Sequence, residues 1–128
     1  MQRMALEEFL RVYDLYDKGV DAITQDDAGR VRFGFDLLHC DDPQRDDEAK
    51  EYLLTVTFRP QDVVVHEGEL HHEEGGWLGK VLDLQEAPAP VRMGIEWWSL
   101  RLPGIVTSWT SLALLDGPIQ AEETISDR

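Results

Sequence analysis

Two hydrophobic periodicities divide the chain. From Leu6 to Tyr16 the apolar residues Leu6, Phe9, Leu10, Tyr13 and Tyr16 recur at helical spacing, with Val12 and Leu15 on the flank. Glu7, Glu8, Arg11 and Asp14 fall largely between them. The acidic pair near the start and Lys18 near the end suit the helix dipole. This pattern predicts an amphipathic helix that stops near Gly19, followed by a loop or short extension over residues 20–27.

Beyond that point the period changes to two. Val31, Phe33, Phe35 and Leu37 alternate with Arg30, Arg32, Gly34 and Asp36, as a half-buried strand requires. Tyr52, Leu54, Val56 and Phe58 form a second alternating face, which Pro60 ends or bends. Val63–Val65 is a third strand. Trp77–Leu84 fits a helix face or a strand; its short length and its neighbours favour strand, with Lys80 out of place. Arg92–Leu102 and Ile105–Leu115 are two longer strands around the turn signal Pro103-Gly104. The punctuation between them is clear: Asp41–Asp47, Glu73–Gly76, Ala87–Pro90 and Asp116–Pro118.

One helix followed by strands without βαβ alternation predicts an α+β fold. The N-terminal helix packs on a curved, mainly antiparallel sheet of about six strands, with a partly open barrel as the variant. Residues 1–118 form the single globular domain in this reading. Residues 119–128 form a polar C-terminal tail, with room for a short strand around Ile119.

Composition refines the picture. A chain of 128 residues buries roughly two-thirds of the surface exposed when unfolded, enough for a core without metal or disulfides. Cys40 is the only cysteine, so an internal disulfide is impossible. Acidic residues interrupt the start before any apolar signal-peptide region develops, no membrane-length apolar run exists, and there is no Asn to glycosylate. These features point to a soluble cytoplasmic protein.

Charge changes the picture most. With 26 acidic and 12 basic residues the net charge is -14. Such a chain repels nucleic acid and anionic membranes and attracts basic partners. The acid is concentrated in three segments, residues 14–27, 41–51 and 66–74, each of net charge -4 with histidines neutral. All three read as loops or element ends, where binding residues are often displayed.

The chemical motifs are few. His66, His71 and His72 lie among Glu67, Glu69, Glu73 and Glu74, but the spacing is not that of a zinc protease and Gly68 argues against a helix. On a strand, His39 and Cys40 point to opposite faces and form no nucleophile–base pair. The aspartates between Asp14 and Asp27 fail the EF-hand pattern. Phosphate-binding glycine loops and the nucleophile elbow are absent. No cofactor or metal is expected. Four tryptophans remain, Trp77, Trp97, Trp98 and Trp109, and the adjacent pair must face opposite sides of a regular strand.

These observations favour a small acidic binding module that neutralises or inhibits a basic protein, of the immunity-protein or inhibitor type. A toxin or a nucleic-acid-binding enzyme is the partner that suits it. The expected contacts are Asp41, Asp42, Asp46, Asp47, Glu67, Glu69, Glu73 and Glu74, with Trp98 as the apolar centre. Two other classes are consistent with the same residues. One is an enzymatic or ligand-binding barrel with a pocket between helix and sheet, near Tyr13, Tyr16, His66 or His72 and Trp97 or Trp98. The other is a structural or assembly subunit built on a strand edge.

Overall fold

A computed structural model of the chain describes residues 2–36, 50–71, 76–86, 90–99 and 107–127. Along the chain come β1 (Gln2–Ala5), α1 (Leu6–Val12), β2 (Gly19–Gln25), β3 (Val31–Asp36) and β4 (Lys50–Phe58). A 3-10 turn, Pro60–Asp62, leads into β5 (Val63–Glu67). Then follow β6 (Trp77–Gln85), β7 (Val91–Ser99), β8 (Thr107–Leu114) and β9 (Pro118–Asp127). The strands join one sheet in the order β1-β9-β4-β3-β2-β6-β7-β8-β5. Every neighbouring pair is antiparallel. The sheet curls into a half-barrel, with one short α-helix among the described residues.

The expected α+β class therefore fits only loosely, and the strand count of about six was too low. The missed strands have physical reasons. β2 places Val20 and Ile23 in the core, but a bulge between Val20 and Ala22 breaks the alternation. β9 turns Ile119, Ala121 and Glu123 inward, a set too small and polar to read as a core strand. Glu123 sits opposite Leu54 and accepts a hydrogen bond from the Tyr13 hydroxyl at 3.2 Å. The segment expected as a polar tail thus lies inside the sheet, between β1 and β4.

The helix is shorter than its periodicity suggests. Leu6 and Phe9 are buried, but Tyr13 is already extended, with its N–H on the Phe9 carbonyl. Asp14 then accepts the Tyr16 N–H, and Asp17 takes a left-handed conformation with φ 64°. Local bonds of this kind give the backbone an alternative to the helix. The chain turns instead towards β6: the Asp17 N–H bonds to the Val81 carbonyl and the Val81 N–H to the Lys18 carbonyl. Leu15 becomes fully buried, while Tyr16 stays 54% exposed.

The inner face carries the core. Cross-strand rows such as Val31–Phe58, Phe33–Val56–Ala121 and Phe35–Leu54 bring apolar side chains together. Phe33 stacks against Phe35 at 5.7 Å and meets Phe58 edge-on at 5.5 Å. Each fully buried side chain of this size contributes about 1.5–3 kcal/mol. The ambiguous stretch after Gly76 is a strand, β6. Lys80 turns outward, and a bulge between Val81 and Asp83 accommodates Leu82.

Candidate protein-binding face

The two halves of the half-barrel's outer face differ in character. On β6, β7 and β8 the register places Leu78, Trp98 and Thr107 in one outward row and Lys80, Glu96 and Trp109 in the next. Asp83, Gly94 and Ser111 make the third row, and Glu67 of β5 continues it.

Glycines position both long tryptophans. On the inner face, Trp97 lies over Gly79, and a Cβ there would come within 2.7 Å of the ring. Trp97 is 1% exposed, and its Nε1–H donates to Thr110 Oγ1 at 2.9 Å. On the outer face, Trp109 lies over Gly94, so closely that a Cβ would overlap its Cζ2 and Cη2 atoms. A strand glycine marks such close approaches. Trp109 remains 37% exposed, and Leu78 and Leu82 are similarly open on β6, two strands away. Trp98, the expected anchor, is half-buried in the adjoining row.

Among the described residues, the carboxylates near Trp109 have no ion-pair partner. Glu96 stands opposite both Lys80 and Trp109, yet Lys80 Nζ reaches Asp17 at 3.0 Å instead. Asp83 lies against Gly94, under the far end of the indole. Glu67 and Glu69 flank Gly68, which has φ 74° and is pressed against the Trp109 carbonyl. All four are solvent-accessible, and among the described residues none has an ion-pair partner.

The histidine stretch does not assemble as a ligand set. His66 is exposed on β5, while His71 folds in over the end of the half-barrel. Its ring stacks on Trp77 at 4.3 Å, meets Trp97 edge-on at 5.4 Å and shares a 2.9 Å hydrogen bond with Ser108 Oγ. Thr110 Oγ1 donates to the Glu69 carbonyl at 2.5 Å, fixing the same segment. The imidazole–hydroxyl pair is the nearest approach to a catalytic dyad, and its packing holds residues 68–71 down over β8. Among the described residues no group of three or more His, Cys, Asp or Glu could hold a metal ion. No helix among them is long and apolar enough to cross a membrane.

Of the expected contact residues, Glu67, Glu69 and Trp98 lie on or beside this face. Asp41, Asp42, Asp46, Asp47, Glu73, Glu74, His72, His39 and Cys40 lie outside the described residues. A groove of about 370 Å³ does run beside α1, lined by Leu6, Leu10, Val91, Arg11 and others rather than by the tyrosines and tryptophans. Trp109, Asp83 and Glu96 escaped sequence reasoning. The signal was Gly94, a mid-strand glycine with no turn to explain it. Compared with known proteins, the chain matches no family model, no curated protein and no solved structure at a significant level.

Proposed function

We propose that this protein is a small binding module that neutralises a basic protein through the outer face of β6–β8. The observation that supports the reading is Trp109, packed over Gly94 and 37% exposed, with Glu96, Asp83 and Glu67 in its own and the next outward row and without ion-pair partners among the described residues. A rigid indole offers a large apolar contact at little entropic cost, and Trp is among the residues that dominate interfaces. Leu78, Leu82 and Trp98 extend the apolar centre. The carboxylates supply the complementary field that speeds encounter with a cationic surface. A toxin or nucleic-acid-binding enzyme fits, because its cleft already presents lysines and arginines to phosphates.

The test is capture from the native host at low salt, followed by purification of any stoichiometric basic partner. Trp109→Ala should weaken that complex by about 2 kcal/mol or more, roughly thirtyfold, mostly through faster dissociation. Reversing charge at Glu67, Glu69 and Asp83 should instead slow association and flatten its salt dependence. A partner that binds both variants as it binds the parent chain would overturn the proposal.

A further inference from the structure

The opposite half of the outer face gathers arginines, which is unexpected in a chain of net charge -14. Register places Arg3 of β1, Gln120 of β9, Thr57 of β4 and Arg32 of β3 in one continuous outward row. At the end of that row, Arg3, Arg30, Arg59, Thr57 and Gln120, together with the apolar Phe58, Pro118 and Ile119, line a pocket of about 260 Å³. The three arginines come from three separate elements: strand β1, the β2–β3 turn and the end of β4.

Two of them are held in place by carboxylates that leave donors free. Arg59 grips the buried Asp62 through Nε at 2.7 Å and Nη2 at 3.2 Å, and its side chain stays 44% exposed. Arg30 gives its Nε to Asp26, at 2.6 Å, and among the described residues its Nη atoms have no hydrogen-bond partner. Arg3 is exposed and has no ion-pair partner among the described residues. Glu122 stands one row away, opposite Thr55.

We infer that this pocket binds a phosphate group carried on a small molecule. One guanidinium fork satisfies the two oxygens of a planar carboxylate. Forks from three directions suit a tetrahedral anion with oxygens pointing three ways, and Thr57 and Gln120 add neutral donors. The volume lies below the roughly 300–1,000 Å³ of pockets that enclose drug-sized ligands, so the site takes a phosphate and a small appendage. It is separate from the Trp109 face and does not depend on the function proposed for it.

The experiment is a 31P NMR and calorimetric titration of the full chain with inorganic phosphate and with phenyl phosphate. Chloride and acetate at matched ionic strength serve as references. Direct binding is read because phosphate raises melting temperatures generally, by exclusion from protein surfaces. Saturable binding of both phosphates is expected, with roughly tenfold weaker affinity in Arg3→Gln and in Arg30→Gln. Trp109→Ala should bind phosphate as the parent does. Arg59 is left intact, because its removal would strand Asp62. Absence of saturable phosphate binding, or equal affinity in Arg3→Gln and the parent chain, would overturn the assignment.

Discussion

Replacing Gly79 by alanine sets two general effects against each other. In a strand, Gly→Ala removes unfolded-state freedom and should stabilise by about 0.4–1 kcal/mol. Here the new methyl would stand 2.7 Å from Cε3 and Cζ3 of Trp97 and 2.9 Å from Cγ2 of Ile95. Carbon atoms in contact prefer about 3.5–4.0 Å, so the indole must move by about 1 Å. Trp97 is enclosed and tied to Thr110, so it has nowhere to go without strain. Overpacking of this kind costs about 1–3 kcal/mol. Losing the Nε1 hydrogen bond in a buried site adds about 1–3 kcal/mol. The net expectation is a loss of about 2–4 kcal/mol, or a Tm lower by about 6–15 °C for a chain of this size. Gly94→Ala is the control. It meets an indole of the same kind, but Trp109 is on the surface and can swing outward, so stability should change by less than about 1 kcal/mol. Urea unfolding followed by tryptophan fluorescence measures both. A Gly79→Ala protein as stable as the parent would refute the packing of Trp97 on β6.

Other expectations can be checked with the same apparatus. Arg59→Ala strands the buried Asp62 carboxylate under the β8–β9 connection and should lower the urea midpoint more than Asp62→Asn does. Asp62→Asn keeps the shape and frees an arginine that can reach water, so it should cost about 1 kcal/mol. The reverse order in urea midpoints would show that the pair is not asymmetrically buried. Asp26 has its carboxyl held below the usual range: desolvation is the largest single influence and works against this, but the bonds from the Arg30 N–H, the Arg30 guanidinium with its charge, and the Ala28 N–H together outweigh it. Its contribution is present above the unfolded pKa and lost as pH falls through the folded one, so Asp26→Asn should flatten the stability profile below about pH 4. An acid limb unchanged by that substitution would assign acid sensitivity to other carboxylates.

The alternation of β3 and β4 made those strands legible, whereas β7 and β8 were legible from strand-forming residues and the Pro103-Gly104 turn signal between them, since β8 buries Ala113 as well as Leu112 and Leu114. The inward set Phe33, Phe35, Leu54, Val56 and Phe58 could be read directly. What could not be read depends on non-local contacts. β9 carries Glu123 on its inner face and is a strand only because β4 and β1 flank it. The helix ended early because Asp14 and Asp17 turned the chain towards β6, a partner more than sixty positions away in sequence. For the candidate face, acidity and an abundance of tryptophan were visible. Which tryptophan lay open was decided by the glycine each one covers, and that pairing crosses strands. The arginine row is likewise assembled by register from four strands, so no local sequence window contains it.

The place of β9 in the sheet has a consequence for biosynthesis. β4 ends at Phe58, but the strand that completes its open side begins only at Pro118. A ribosome releasing this chain therefore exposes β3–β4 with a bare hydrogen-bonding edge while β5 to β8 are still being made. Pairings this distant in sequence form slowly, since loop closure must precede them. Through that interval the unpaired edge of β4 is open to other nascent chains, a recognised aggregation hazard. The high density of negative charge opposes such pairing between neighbouring copies until residues 118–127 add to the open edge of β4.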